Sequence, residues 1–457
     1  MTQDDIECRE PLWREIPFED PGEAARRFAG SRHFTFLDSA LASERLGRFS
    51  CIACDPVETI GAEDFSNLAP RLKSHALRHI PDLPPFQGGF VGYVAYEFGR
   101  ELEAQIKAHA PAANIPALML HAYDVVLAFD TLARRAFVIS TGYPETDEAK
   151  RLARAETRMA EMTARLARPK TATDGPRSIA NWTSNFARPA YEEAILKTVE
   201  YILAGDIFQA NISQRFSSPI PDGFDPFAFY MALRQRNAAT FAAFLDYGDV
   251  VIASASPERL FAFDGVTAEA RPIKGTVRRD ADPIRDSALK QELMASRKDR
   301  AENVMIVDLL RNDLSRVCDP GTVEVPVLCG LETYATVHHL VSSVTGRLSA
   351  GHSAVDLLAA CFPGGSITGA PKIRAVEIIA ETEKRPRDIY CGSIGFIGFS
   401  GRSDFNICIR TVLFHDGVAS FGGGGGITAK SEPGPEYEET ITKVSRILDV
   451  FGAAVPA

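Results

Sequence analysis

Two pairs of carboxylates, each with its members three residues apart, could together bind a metal ion. Asp299 and Glu302 form the first pair, and Glu436 and Glu439 form the second. Residues three apart in a helix leave the same face about one turn from each other. If both faces point at one place, their oxygens make the kind of site that Mg²⁺ binds. The alternatives are that Glu302 is a solvated helix acid and that Glu439 is a helical ion-pair partner of Lys443.

A run of five glycines, Gly422 to Gly426, lies just ahead of the second acid pair. Consecutive glycines weaken a strand, so such a run suits a place where a ligand or another backbone comes close. We therefore expect a ligand beside a backbone that has no side chains in the way. A role in turn geometry alone is the alternative for these glycines.

Lys274 lies between Ile273 and Gly275, in the stretch PIKGT, at the end of an otherwise apolar strand. Burying an ammonium group is costly, and loss of hydration favours the neutral amine, which is a nucleophile. A surface lysine beside a turn is the alternative, and the local sequence alone favours that alternative.

The spacing of apolar residues predicts the elements that position these groups. Residues 299–314 have the apolar repeat of a long amphipathic helix. Pro435 suits the first turn of a helix that would carry the second acid pair. Further predicted elements are strands over 34–40 and 46–56 and helices over 145–168 and 191–206. The stretch rich in Pro, Gly, Ser and Thr, 169–185, predicts a linker between an N-terminal part, 1–168, and a catalytic domain, 186–457.

The bulk composition is that of a globular protein and argues against several classes of function. Of the 457 residues, 45% are hydrophobic and 24% are charged, which is ample for a core. The 50 lysines and arginines against 60 acids leave a net charge of −10, which argues against general nucleic-acid binding. No apolar run approaches the roughly 18 residues of a membrane span, and the acidic N-terminus lacks a signal-peptide core. We expect a cytoplasmic protein without a membrane partner.

The 8 cysteines are scattered along the chain. Cys51 and Cys54 form a CxxC pair, but no second pair completes a zinc site. We expect reduced, buried strand cysteines, which suit a reducing compartment.

Eight motifs occur in a fixed order over residues 256–440. They are SPERL, RPIKGT, AENVMIVDLLRNDL, VHHLVSSV, PGGSITGAPK, YCGSIG, FNICIRT, and GGGGIT followed by EYEET. In this order they resemble the chorismate-utilising enzymes, the family of anthranilate, isochorismate and aminodeoxychorismate synthases. The stretches FLDSALASERLGRFS and GGFVGYVAYEFGRELE resemble the N-terminal part of the synthases. The resemblance implies an α+β fold of two large antiparallel sheets packed across each other, with helices outside and the active site in the cleft between them.

Two positions discriminate within the family. Lys274 stands where anthranilate synthases usually have alanine, and in this it resembles the aminodeoxychorismate synthases. Gln209 stands where isochorismate and salicylate synthases carry a water-activating lysine. An amide has no basic nitrogen and cannot act as a general base near neutral pH. The resemblance therefore favours an amine nucleophile, and it implies that chorismate and ammonia give 4-amino-4-deoxychorismate, a precursor of p-aminobenzoate and folate.

The resemblance also implies the chemical roles. Lys274 would attack C2 of chorismate while Glu258, as general acid, assists the departure of the 4-hydroxyl. Ammonia would then add at C4 and release Lys274. Mg²⁺ would be held by Glu302 and Glu439 and would bind the ring carboxylate.

Asp299 and Glu436 would act on this ion mainly through water, as outer ligands implied by the resemblance. The groups that would hold the substrate are His339, Ser366, Tyr390, Arg410, Lys443 and the backbone of Gly424, Gly425 and Gly426. The two adjacent histidines in VHHLV, His338 and His339, lie in an apolar strand, where a hydrogen-bonded core histidine is the usual outcome; of the two, we favour His339 for substrate binding. For Ser366, a role in turn geometry is the alternative.

The ammonia source is expected to be a second protein. The chain has no GxCxG-type glutaminase elbow, so we expect a separate glutamine amidotransferase subunit. Anthranilate synthase component I activity is the nearest alternative function, and an isochorismate-type synthase is a further one. A regulator that only binds chorismate is the alternative from another class; Lys274, Glu258 and the four acids argue against it.

Overall fold

The computed structural model describes residues 9–41, 46–103, 105–106, 112–171, 175, 177–334 and 337–454. Part of the motif FLDSALASERLGRFS, residues 42–45, and part of the predicted linker, residues 172–174 and 176, lie outside the described residues.

Two large sheets dominate the described structure, and every strand pairing within them is antiparallel. Numbered along the chain and given in spatial order, the strands of the first sheet are β1 (Leu12–Ile16), β8 (Arg135–Ser140), β7 (Val125–Asp130), β3 (Phe49–Ala53), β2 (Phe34–Asp38), β11 (Phe241–Asp246), β12 (Val251–Ser256), β21 (Thr411–His415), β22 (Val418–Ile427), β10 (Gln209–Pro219) and β18 (Gly369–Ala370), with β9 (Thr183–Ser184) also on β10. Those of the second sheet are β15 (Ile273–Arg278), β17 (Val337–Arg347), β14 (Thr267–Ala270), β13 (Arg259–Phe263), β20 (Ser403–Asn406), β19 (Ser393–Gly398), β5 (Gly89–Val94), β6 (Leu118–Tyr123) and β4 (Glu58–Gly61), with β16 (Glu324–Thr333) also on β17.

Helices cover the sheets. They are α1 (Pro21–Ala25), α2 (Phe65–Ser74), α3 (Gly99–Leu102), α4 (Glu148–Leu166), α5 (Arg188–Leu203), α6 (Pro226–Arg236), α7 (Pro283–Ala295), α8 (Arg297–Ser315), α9 (Ala354–Cys361), α10 (Lys372–Glu383) and α11 (Pro433–Phe451). The predicted α+β fold of two antiparallel sheets with helices outside is therefore confirmed. The predicted strands at 34–40 and 46–56 are β2 and β3, and the predicted helices at 145–168 and 191–206 are α4 and α5.

Both sheets contain strands from each side of the predicted linker. In the first sheet β2 pairs with β11, and in the second sheet β5 pairs with β19. The described end of the linker packs on the core: the Ile179 amide donates to the Phe451 carbonyl at 3.1 Å, and Trp182 is buried against Phe421. The division at 169–185 stays a prediction, and the two parts it separates share their sheets.

Seven cysteines fall in the described part of the chain, and all seven are unpaired and buried. Burial raises the pKa of Cys51 to about 12 and that of Cys54 to about 11, so both thiols stay protonated near neutral pH. Among the described helices, none is long and apolar enough to cross a membrane.

Candidate active site

Helix α8 presents the first acid pair. Its N-cap is Ser296, whose side chain accepts a hydrogen bond from the Asp299 amide at 3.3 Å, which fixes where the helix begins. The buried stripe includes Ile306 and Leu310, which pack in the core of the second sheet. Asp299 and Glu302 lie half-buried in the first turns. The predicted amphipathic helix is confirmed, and it carries both acids at one end.

Helix α11 presents the second acid pair against the glycine run. Glu436 is buried, and its Oε1 accepts a hydrogen bond from the Ser431 hydroxyl at 2.7 Å. A Cβ placed on Gly425 would lie 3.3 Å from Glu436 Oε2, 3.6 Å from Lys443 Nζ and 3.8 Å from Glu439 Oε1. Three charged groups therefore crowd this strand at a position where a side chain would take their space.

The glycine run also leaves one strand edge open. Among the described residues, β22 pairs with β21 only as far as Phe421, so the edge beyond has a partner on its β10 side alone. Lys443 Nζ donates to the Gly424 carbonyl at 2.9 Å and forms an ion pair with Glu439 Oε1 at 2.7 Å. The helical ion pair offered as the alternative for Glu439 is thus present, but it lies at this open edge and not on a remote surface.

Lys274 reaches the same region from the second sheet. It is half-buried on β15, and its side chain forms no ion pair or hydrogen bond with any described residue. The next residue, Gly275, has a φ of +75°, and a Cβ there would lie 3.0 Å from the Cβ of Asp299. The left-handed backbone and this close approach both favour glycine. The strand therefore lies directly against the acid-bearing end of α8.

The pKa shifts of the acids join the two helices to Lys274. Desolvation raises the pKa of Glu302, with the positive charge of Lys274 opposing this and the negative charges of Asp299 and Glu436 adding to it. For Glu439, desolvation raises the pKa, but the positive charges of Lys443, Lys298 and Lys274 together outweigh it, and the net shift is downward. Charges on α8, α11 and β15 are thus close enough to act on one another.

Glu258 lies between β12 of the first sheet and β13 of the second, with only 8% of its surface exposed. Its Oε1 accepts a hydrogen bond from the Ser366 hydroxyl at 2.7 Å. Burial raises the pKa of Glu258, while Lys274, Ser366 and Lys443 partly offset this shift. A carboxyl with a raised pKa stays protonated to higher pH and can donate a proton, as a general acid must.

His338 and His339 have different surroundings. His338 is fully buried, with Nε2 2.8 Å from Asp286 Oδ1 and Nδ1 2.9 Å from Thr333 Oγ1. Burial and the nearby Arg410 guanidinium lower the pKa of His339 to about 4, so its imidazole is neutral at pH 7. The contacts of His338 are those of a core histidine, and His339 is the one near the charged groups of the site.

Arg410 lies near Glu258, exposed and without an ion pair among the described residues. Its φ of +53° is unusual for a residue with a side chain, and such strain recurs at functional sites. The Tyr390 ring packs against β22, where a Cβ on Gly422 would collide with it, and the Arg387 guanidinium lies 5.8 Å from the ring centroid. The substrate contacts assigned to Arg410 and Tyr390 stay predictions.

Sequence reasoning missed Arg387, which ties several of these segments together. Its buried guanidinium donates to the Asn211 carbonyl at 2.6 Å, to the Ile367 carbonyl at 3.0 Å and to both oxygens of Glu383. No local signal marks it, because a glutamate and an arginine four residues apart usually form a surface pair.

The acids fit a hard divalent cation. Mg²⁺ typically takes one or two protein carboxylates and fills its remaining positions with water and substrate oxygens. Glu302 and Glu439 supply such oxygens from two helices, and the upward pKa shift that Asp299 and Glu436 exert on Glu302 reflects negative charge that a cation would relieve. In the described ranges no group of three or more His, Cys, Asp or Glu side chains gathers at metal-ligand spacing.

Comparison with known proteins yields one family. A family model for chorismate binding enzymes matches residues 33–449. The chain is 41% identical over 401 residues to aminodeoxychorismate synthase component 1 of Klebsiella aerogenes, covering 87% of this chain and 83% of that protein. It is 38% identical over 432 residues to anthranilate synthase component 1 of Streptomyces coelicolor, covering 92% and 84%. The crystal structure of anthranilate synthase component I from Streptococcus pneumoniae superposes with a TM-score of 0.77 at 30% identity, covering 89% of this chain and 93% of that one.

Proposed function

Because the chain belongs to the family of chorismate binding enzymes, we propose that it converts chorismate and ammonia into 4-amino-4-deoxychorismate, for p-aminobenzoate and folate synthesis. The observation that carries this choice is the placement of Lys274, half-buried and unpaired among the described residues, beside Glu258, Glu302 and Glu439. Relatives with this activity and relatives with anthranilate synthase activity are similarly close in sequence. An amine nucleophile supplied by the protein separates the two reactions.

In the first step, the Lys274 ammonium gives a proton to solvent, and its amine nitrogen then forms a bond to C2 of chorismate. The ring double bonds shift, and the C4–oxygen bond breaks. Glu258 gives its proton to the departing hydroxyl, which leaves as water. The reaction needs an acid because hydroxide is a poor leaving group, and burial raises the pKa of Glu258, which favours its protonated form.

In the second step, ammonia forms a bond to C4, and the bond between C2 and the Lys274 nitrogen breaks. The ring double bonds return, and the Glu258 carboxylate takes up the excess proton. The net change replaces one hydroxyl by one amino group and restores both residues. Arg410, Lys443 and neutral His339 would hold the substrate carboxylates and ring in position.

Glu302 and Glu439 would hold Mg²⁺, with Asp299 and Glu436 as outer acids. The ion would supply a divalent positive charge for the ring carboxylate of the substrate. Without it, a dianionic substrate would meet four acids at this end of the cleft.

We expect Glu302→Gln and Glu439→Gln each to raise the Mg²⁺ concentration needed for half-maximal activity by at least about tenfold, because each removes one negative oxygen ligand. Calorimetric titration of Mg²⁺ in the presence of chorismate should show the same loss of affinity without turnover. Asp308→Asn is the matched control, since Asp308 is exposed on α8 and pairs with Arg311. Unchanged Mg²⁺ affinity in both glutamine variants would refute the metal assignment.

We also propose that the ammonia comes from a separate glutamine amidotransferase. The shared name "component 1" of the relatives supports a second component, and the buried cysteines of the described chain offer no accessible thiol for glutamine hydrolysis. Their unpaired state supports a reducing, cytoplasmic location.

The test of the function is the product made by the isolated chain. With chorismate, Mg²⁺ and ammonium, we expect 4-amino-4-deoxychorismate by mass spectrometry, and with glutamine in place of ammonium no product. Fluorescent anthranilate and pyruvate would instead establish anthranilate synthase activity, and product formed without an amine would indicate an isochorismate-type enzyme.

A further inference from the structure

Ser366 contacts the buried acid. Its hydroxyl donates to Glu258 Oε1 at 2.7 Å, and the two side chains are only 7% and 8% exposed. Among the described residues, no other side chain is hydrogen-bonded to the Glu258 carboxyl, since the Ser256 hydroxyl contacts only the Glu258 backbone. One carboxyl oxygen is therefore occupied by the serine, and the other, Oε2, is left for the reacting group.

The turn that carries Ser366 is itself held in place. Ser366 lies in the 3-10 helix Gly365–Ile367. Arg387 Nη1 donates to the Ile367 carbonyl at 3.0 Å, and the Thr368 hydroxyl donates to the Gly364 carbonyl at 2.9 Å. A Cβ on Gly365 would lie 3.2 Å from the Leu309 side chain of α8. These contacts hold the backbone of the turn in place, and they therefore fix the position from which the Ser366 side chain extends.

We propose that Ser366 is a positioning residue that holds Glu258 through Oε1 and thereby makes Oε2 the oxygen that gives its proton to the departing 4-hydroxyl. The inference rests on the proposed function and assigns Ser366 a role different from the substrate contact that the family resemblance implied. After proton transfer, the serine donates to the carboxylate that remains. No bond of the substrate involves Ser366.

Removal of the Ser366 hydroxyl is expected to shift the pKa of Glu258 in a defined direction. A hydrogen bond donated to a carboxyl stabilises its ionised form, so removing Ser366 raises the pKa of Glu258 further. The other groups that face Glu258 are Lys274 on β15, Lys443 on α11, Arg410 before β21 and the Cys391 thiol, and all four remain. Because the acid works in its protonated form, the decline of activity at high pH moves to higher pH.

The experiment compares kcat, KM for chorismate and the pH profile of wild type, Ser366→Ala and Ser366→Thr, with ammonium as the amine. For Ser366→Ala we expect kcat to fall about 10- to 100-fold through lost orientation, with KM within about twofold. The alkaline limb should move up by about one pH unit. Ser366→Thr keeps the hydroxyl and should keep the limb in place.

The matched control is Ser140→Ala, which removes a buried serine hydroxyl that donates to the Asp124 carbonyl at 3.0 Å, in the first sheet. It should lower thermal stability comparably and leave the pH profile unchanged. A Ser366→Ala variant with raised KM and an unmoved limb would overturn the proposal and restore the substrate contact. A wild-type protein that makes no 4-amino-4-deoxychorismate would count against the proposed function, a result distinct from either.

Discussion

Replacing Lys274 with alanine is expected to lower formation of 4-amino-4-deoxychorismate at least about a thousandfold. A positioned nucleophile acts with an effective concentration on the order of 10⁵ M or more, which no solution amine reaches. Lys274 has the position for this role: it is half-buried, free of ion pairs among the described residues, and close to Glu258. Mass spectrometry of the product from chorismate, Mg²⁺ and ammonium measures the loss.

Lys274→Arg separates nucleophilic from electrostatic roles. Arginine keeps the positive charge beside the acids but stays protonated and cannot attack carbon near neutral pH. We expect this variant to be as inactive as the alanine variant while it still binds chorismate. Recovery of most activity with arginine would mean that the charge, and not the amine, serves the reaction.

Glu258→Gln should lower kcat by about 10²- to 10⁴-fold, the usual contribution of a positioned acid. Glutamine keeps the shape and can still accept the Ser366 hydrogen bond, but it has no proton to give. In the wild type, activity should fall as pH rises through the raised pKa of Glu258, because the acid then loses its proton. The variant's residual activity should lack that limb. A Glu258→Gln enzyme with wild-type rate and profile would remove Glu258 from the mechanism.

The same pKa shift predicts an effect on stability with a defined sign. Because burial raises the pKa of Glu258 in the folded state, its contribution to stability is full below the pKa of the unfolded chain and is lost as pH rises through the folded-state value. Glutamine carries no such pH dependence. Relative to the wild type, Glu258→Gln should therefore gain melting temperature as pH rises through this range.

Local sequence predicted the helices and strands better than it predicted which of them are in contact. The apolar repeat placed α8 correctly, because burial of one helix face dictates that repeat, and β2 and β3 followed from their apolar runs. The two-sheet fold came from the ordered motifs, since the pairing of β2 with β11 links residues about 200 apart. The spacing of apolar residues within one segment does not indicate which distant segment that segment pairs with.

The contacts within the candidate active site were likewise not predictable from local sequence. The spacing of each acid pair predicted one shared helix face, but only the folded chain brings α8, α11 and β15 together. Local sequence favoured a surface position for Lys274, and the fold half-buries it. Ser366 and Glu258 are 108 residues apart, so their hydrogen bond could not be anticipated from either motif. The motifs named the residues, and the tertiary structure supplied their partners.

Peptide mass spectrometry tests most directly whether Lys274 forms a covalent bond to the substrate. The protein is incubated with chorismate and Mg²⁺ without ammonia, quenched and digested. We predict that the peptide containing Lys274 gains the mass of chorismate less one water, and that brief addition of ammonium before quenching removes this mass. If the wild type makes 4-amino-4-deoxychorismate from ammonium while that peptide keeps its unmodified mass throughout, the nucleophilic role of Lys274 is contradicted.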